Sequence, residues 1–229
     1  YILQKDGRDL MIENPDPREQ VSTAYDQVSI MQKIRFKPNR FWDITYGGHY
    51  STTSDYGRYD RQIRYRGDTL RSAEWYYGPQ EWTMHSLNVV NTKPNKIYDK
   101  MSLTAAYQYF RESRNERDYQ SPIRTNKVER VFAPSLNLDF EQDLGERHEI
   151  FFGLEAVYNR VHSRATTKNL FTGNNALTQT RYPHEASWIS TSAYVSDHFR
   201  ISEKLTLQTG MRYSVIQIEA NLDTSFLFV

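Results

Sequence analysis

Character repeats every second residue along most of this chain, and that period admits strands while excluding amphipathic helices. From Val28 the alternate positions read Val28, Ile30, Gln32, Ile34 and Phe36, with Ser29, Met31, Lys33 and Arg35 between them. Trp42, Ile44, Tyr46, Gly48 and Tyr50 alternate in the same way with Asp43, Thr45, Gly47, His49 and Ser51. The pattern returns at Met101–Tyr109, Leu136–Phe140, Ile150–Tyr158 and Leu205–Tyr213. Two further stretches, 82–90 and 188–199, alternate less cleanly, which predicts bulges or a change of facing. The reading is about eight strands and no helix.

The connections predict how these strands are arranged. Four are short and rich in turn residues, at 37–40, 92–96, 142–146 and 201–204. Between them lie long polar stretches at 53–72, 111–126 and 160–186. A soluble sandwich has no reason to sort loop length by side, whereas a transmembrane barrel has short turns on one side and long loops on the other. Composition agrees: mean hydropathy is −0.78, yet 14% of residues are aromatic, including 17 Tyr. Rings near the strand ends, such as Phe36, Trp42, Tyr98, Tyr109, Tyr158, Phe199 and Tyr213, suit the two bilayer interfaces. No run approaches the roughly 18 apolar residues of a membrane helix. The predicted fold is therefore all-β, an antiparallel transmembrane β-barrel.

Several function classes fall away on composition. Lys+Arg 29 against Asp+Glu 28 leaves no basic footprint, so no nucleic-acid partner is expected. Without Cys there is no disulfide scaffold, thiol nucleophile or iron–sulfur cluster. A Gly-rich phosphate loop, a G-x-S-x-G elbow and H-E-x-x-H are all missing, and pairs such as His85-Ser86 are the coincidences any Tyr-rich barrel offers. The chain is read as no enzyme, with no cofactor. Its six His never fall at metal-ligand spacing, so no metal site is expected; His162 and His184 share one long loop and otherwise read as exposed imidazoles.

With strand direction alternating, both chain ends fall on the long-loop side. The 229 residues then read as one barrel segment cut from a larger barrel, with 1–23 in one outer loop and 221–229 in another. The opening Tyr1-Ile2-Leu3-Gln4 has no signal-peptide pattern, and Phe228-Val229 does not supply a terminal aromatic residue.

The hairpin Ala193-Tyr194-Val195-Ser196-Asp197, Ile201, Leu205-Thr206-Leu207, Gly210-Met211-Arg212-Tyr213 resembles that of TonB-dependent outer-membrane receptors, and His148–Glu155 resembles an upstream arm of the same family. Tyr65–Leu70 followed by Glu74–Pro79 is similar to Bacteroidetes-type members. The resemblance implies about eight consecutive strands of a 22-stranded barrel in the bacterial outer membrane, with the plug domain and TonB box not in this chain. It implies a receptor that takes up a scarce nutrient, such as a ferric siderophore, haem, cobalamin or a glycan. TonB and its inner-membrane complex would supply the energy, and outer-membrane lipid and lipopolysaccharide would surround the wall. A passive porin or small structural barrel, and a soluble ligand-binding β-barrel, are the rivals.

The segment Tyr56–Arg66 packs four Arg and three Tyr into eleven residues. Guanidinium forks and phenols suit an anionic or metal-chelate cargo, so Arg61, Arg64, Tyr65 and Arg66 are the candidate ligand-binding residues. Against this stands the general tendency of charged loops to be merely solvated or to meet lipopolysaccharide phosphates. Arg111–Asp118 alternates in sign and reads as a self-paired loop, and Arg66-Gly67-Asp68 is given no weight as an adhesion tripeptide.

Overall fold

A computed structural model describes residues 1–222, so Phe228 and Val229 and most of the predicted second outer loop lie outside the described residues. In chain order the elements are β1 (Ile2–Lys5), β2 (Arg8–Met11), β3 (Gln27–Asn39), β4 (Trp42–Thr53), β5 (Tyr56–Gly57), α1 (Tyr59–Gln62), β6 (Tyr65–Arg66), β7 (Thr69–Leu70), β8 (Ser72–Tyr77) and β9 (Glu81–Asn91). There follow β10 (Lys100–Asp118), β11 (Ile123–Leu144), β12 (His148–Asn169), β13 (Asn175–Leu177), β14 (Ala186–Ser202) and β15 (Leu205–Glu219). Eight long strands form one antiparallel meander in the order β3-β4-β9-β10-β11-β12-β14-β15, an open sheet with β3 and β15 at its edges.

Register decides facing, because residues directly opposite in adjacent strands share a face. One row crosses all eight strands as Ile34, Tyr46, Leu87, Ala105, Leu136, Ala156, Thr191 and Val215. One residue along each strand lies a second row, Arg35, Thr45, Asn88, Thr104, Asn137, Glu155, Ser192 and Ser214. The first row is mostly apolar and the second wholly polar, and they lie on opposite faces. Ile44, Leu103, Tyr107, Leu138, Phe152, Leu154, Leu207 and Met211 fall on the apolar face, and Gln108 and Arg212 on the polar one, as the alternation predicts.

The polar face is knitted by side chains. Asn88 Nδ2 donates to Thr104 Oγ1 at 2.9 Å, and Asn137 Nδ2 to Glu155 Oε2 at 3.2 Å. Arg212 donates to Glu155 Oε1 at 2.5 Å and Ser192 Oγ at 2.8 Å. The apolar face carries Leu154 at 56% and Met211 at 73% exposure, while Leu70 and Ala165 are the only apolar side chains buried among the described residues. Leaving that face in water would forfeit the main driving force for folding, so a soluble barrel around an apolar core is set aside. The rings form two bands on the apolar face. Near the short turns Phe140 meets Phe152 at 5.0 Å and Tyr98 at 5.5 Å; near the other end Tyr109 meets Phe132 at 5.2 Å. Phe132 and Phe140 are eight positions apart on β11, about 26 Å of strand or roughly 20 Å along the membrane normal at the usual tilt, so the rings bracket most of the ~25 Å apolar band of a membrane barrel.

All four predicted turns lie at one end. Side chains replace lost ladder bonds at three of them: Asn39 Oδ1 accepts from Phe41 N at 2.9 Å, Asn91 Oδ1 from Lys93 N at 2.8 Å, and Ser202 Oγ from Lys204 N at 3.3 Å, although the β9–β10 connection extends over 92–99, beyond the predicted 92–96. Gly145, at φ +70, supplies the left-handed residue between β11 and β12.

Three expectations need correction. First, 111–126 is not a long loop: β10 and β11 remain paired up to Glu116↔Thr125, leaving only 119–122 between the strands. Likewise β12 runs on to Asn169, inside the predicted 160–186 stretch. Second, 82–90 and 188–199 contain no bulge, and their ladders run in unbroken register. Their alternation is weak because Thr83, His85 and Thr191 stand on the apolar face. The register shifts fall beside turns instead, at Phe36/Asn39, where Pro38 cannot donate a ladder bond, and at Arg200/Ser202. Third, one short helix does exist, the single turn α1.

Candidate functional site

The long-loop end is built around β8. It pairs with the upper part of β10, from Arg114↔Tyr77 to Asp118↔Ser72, and so continues the edge that β9 occupies lower down. Trp75 and Tyr77 lie opposite Glu116 and Arg114, which share the polar face with Gln108. β5 pairs in turn with β8 through Tyr56↔Tyr77. The result is a row of rings: Tyr25 to Tyr56 at 5.3 Å, Tyr56 to Tyr77 at 5.2 Å, and Tyr77 to Trp75 at 5.2 Å. Burial pushes the Tyr56 phenol up from its usual range, and neighbouring Tyr77 adds to this, so the group stays neutral and able to donate.

Arginines cover this row. Arg58 and Arg61 lie over Trp75 at 5.4 and 5.8 Å, and Arg114 over Tyr77 at 5.4 Å, within cation–π range. Helix α1 places Asp60 among three guanidinium groups: Arg58 Nε at 2.6 Å, and Arg61 and Arg64 each at 3.8 Å. One carboxylate cannot neutralise three cations, so this corner remains electropositive. Below it, a recess of about 470 Å³ on the luminal face is lined by Gln27, Gln80 and Gln108 together with Trp82, Phe110 and Val131 among others.

The four candidate residues separate into two pairs. Arg61 and Arg64 belong to the Asp60 corner. Tyr65 and Arg66 sit on the β6–β7 hairpin, turned by Gly67 at φ +62. Tyr65 is 63% exposed, and Arg66 Nη1 is 3.1 Å from Asp118 Oδ2. Sequence reasoning missed Tyr25, Tyr56, Tyr77, Trp75 and Arg114 as one cluster. The available signal was the ring-rich run Trp75-Tyr76-Tyr77, but pairing of β8 to β10 is what brings Arg114 to it.

The segment Arg111–Asp118 is not simply self-paired. Arg114 does meet Glu112 at 2.8 Å, two residues away on one strand face. Arg111 instead reaches Glu81 at 3.4 Å, and Arg117, only 4% exposed, binds both Asp9 and Glu74 at 2.7 Å. Arg124 also grips Glu74 at 2.7 Å, and Gln120 N donates to Asp9 Oδ2 at 2.7 Å. Hydrogen bonds from Arg117 draw the Asp9 carboxyl below its usual range despite desolvation. Burial pushes Glu74 up, but Arg124 and Arg117 together outweigh it and leave its carboxyl lowered. This network clamps the β1–β2 hairpin to the top of β10.

Nor are all the histidines solitary. His162 and His184, 22 positions apart in sequence, stand with Glu185 in one group whose ligand atoms lie within 4.8 Å of one another.

The family model described as TonB dependent receptor-like, β-barrel, matches residues 8–227. No curated protein matches the chain. Among solved structures, the chain is similar to the copper transporter OprC, with 13% identity, a TM-score of 0.64, and coverage of 87% of this chain and 30% of that one. The ferric citrate transporter FecA in its unliganded form gives 14%, 0.57, 86% and 30%. P. aeruginosa FpvA, bound to heterologous pyoverdines, gives 12%, 0.53, 86% and 31%. At such identities the likeness is one of fold, and this chain spans about 30% of the length of those proteins.

Proposed function

Because the chain belongs to the TonB-dependent receptor β-barrel family and so forms part of an outer-membrane barrel, we propose that its parent protein captures a scarce nutrient at the long-loop mouth. TonB and its inner-membrane complex drive entry past a plug that lies outside this sequence. The membership favours energised uptake over the passive porin weighed above. The apolar face meets outer-membrane lipid, and the polar face is the wall of the path.

The observation that carries the cargo reading is the electropositive corner at Asp60, set on rings above a luminal recess of mixed polar and apolar lining. Guanidinium groups with free donors bind anions bidentately, and stacked rings accept flat or aromatic chelators. The cargo class is thus an anionic metal chelate such as a ferric siderophore. Arg61 and Arg64, with Arg58, hold the anion, whereas Tyr65 and Arg66 on the projecting hairpin make first contact. Haem, cobalamin and glycans are the other cargoes to be tested.

Growth of a parent-gene deletion strain on defined iron, haem, cobalamin and glycan sources identifies the cargo. Its affinity is then measured in the intact receptor at two salt concentrations. Replacing Arg61, Arg64 and Arg66 together with Ala is expected to weaken binding about tenfold or more, since hydrogen bonds to charged groups are the strong ones, and to flatten the salt dependence. Unchanged affinity and unchanged salt dependence would remove this loop from the mechanism.

A further inference from the structure

Above Val161 the edge of β12 loses its partner. Pairing with β14 ends at Val161↔Ala186, and pairing with β13 begins only at Thr166↔Leu177. Thr178 N still bonds Ala165 O at 3.1 Å, so residues 179–185 bulge across the short stretch 162–164. The bulge closes at Glu185, which adopts φ +61, a left-handed conformation that costs energy for a residue with a side chain. In that conformation its carboxylate is set against two imidazoles, Oε1 in contact with His162 Nδ1 and 3.3 Å from His184 Nε2.

The remaining contacts divide in a way that leaves ligand lone pairs inward. His184 Nδ1 lies 2.9 Å from the Ser163 carbonyl oxygen. A carbonyl only accepts, so Nδ1 carries a proton; in the neutral ring Nε2 then has its lone pair towards the cluster, where an ion would replace the contact with Glu185 Oε1. Such a bond on the far nitrogen is the usual support of a metal-binding imidazole. Glu185 uses its other oxygen, Oε2, for Arg160, which orients the carboxylate without occupying Oε1. The two rings are 5.8 Å apart and nearly perpendicular.

We propose that His162, His184 and Glu185 form a transition-metal site that clips the 170–185 connection to β12. Two imidazoles and a carboxylate select zinc, copper or nickel over calcium or magnesium. An ion about 2 Å from each ligand atom, as in zinc sites, requires the wider separations to contract and the His162–Glu185 contact to open, both by side-chain movement. Arg111, Arg130 and Arg164 line the same recess; they oppose a bare dication and favour one whose open positions carry an anion or hydroxide. The site rests on these side chains alone, so it stands or falls separately from the cargo reading.

The test uses the intact receptor in detergent, stripped with EDTA and titrated calorimetrically with Zn²⁺. Co²⁺ serves as a spectroscopic probe of nitrogen and oxygen ligation. His162→Ala and His184→Ala should each remove one bound ion and the corresponding Co²⁺ bands. Glu185→Gln should weaken binding about tenfold or more, by analogy with losses on removing even an outer partner of a ligand. His198→Ala, near the opposite end, should change neither. Zn²⁺ should also protect the 170–185 connection from protease in the native protein and not in His184→Ala. Heat-modifiable gel mobility confirms that each variant retains its barrel. Equal zinc uptake by folded native and His184→Ala receptors would overturn the site, as would no uptake by the native protein.

Discussion

Arg117 satisfies two carboxylates at once, and no other residue type could do so from its position. Its Nε serves Glu74 while both terminal nitrogens serve Asp9, a fork that a lysine ammonium cannot reproduce. Arg117→Ala leaves the buried Asp9 carboxylate without its cation, while Glu74 keeps Arg124, and breaking a buried pair in this way costs about 3–5 kcal/mol. The expected result is release of the β1–β2 hairpin, read as new protease cleavage before residue 27 while the barrel stays folded. The same clamp depends on pH. Asp9 and Glu74 both titrate below their unbound values of 3.8 and 4.5, so their stabilisation is complete above about pH 4.5 and is lost as pH falls through the lowered folded values. Hairpin docking followed by protease sensitivity should therefore hold at pH 5 and fail only in stronger acid. A second residue-scale case is Gly153. A Cβ there would lie 2.6 Å from the Leu138 carbonyl oxygen and 2.7 Å from the Tyr194 ring, whose hydroxyl donates to Asp139 at 2.7 Å. Gly153→Ala should destabilise the barrel by about 1–3 kcal/mol, as overpacking does, measurable by urea unfolding in lipid.

At the scale of elements, strand direction fixes which connections face which compartment. This chain has no Cys, so single cysteines placed in it are clean reporters once any elsewhere in the parent have been replaced. With the parent in living cells, a membrane-impermeant maleimide should label Asp68→Cys, Gln120→Cys and Phe171→Cys and leave Glu146→Cys and Glu203→Cys unlabelled. Labelling of Glu203→Cys with Phe171→Cys protected would invert the topology. Within the bilayer zone the strands were legible residue by residue, because lipid on one side and polar groups on the other impose period two. Higher up they were not. Around Ser113, Asn115 and Arg117 both faces of β10 are polar, yet its backbone ladder with β11 continues. A ladder needs only paired N–H and C=O groups, so the strand persists where its side-chain signature has ended. The candidate site shows the same limit. Arg61 and Arg64 were readable as a local cluster, but Arg66 turned to Asp118 and Arg114 came in to Tyr77 through pairings that local sequence does not encode. His162 and His184 meet for a similar reason, through a bulge whose closure lies in tertiary pairing.

For the molecule as a whole, the open edges β3 and β15 carry exposed Ile30 and Phe36 on one side and Ile216 and Ile218 on the other. Unpaired strand edges do not persist in hydrocarbon and recruit other strands in water. The 229-residue chain expressed alone should therefore self-associate in detergent, and a monodisperse monomer by sedimentation would contradict this. The longest strands bear on something quite different, the depth at which the barrel sits. β11 and β12 have 22 residues each, about 70 Å of chain, far more than the ~25 Å apolar band requires even when tilted. Each is thus one continuous ladder standing partly in fat and partly in water, with Tyr109, Phe132 and Tyr158 marking the line between. Deuterium uptake by the receptor in lipid nanodiscs should change abruptly along a single strand at that line, slow from Phe132 to Phe140 and faster from Ile123 to Val131. The strand itself would then act as a gauge of immersion, and a bilayer of longer-chain lipids should move the step upwards along it.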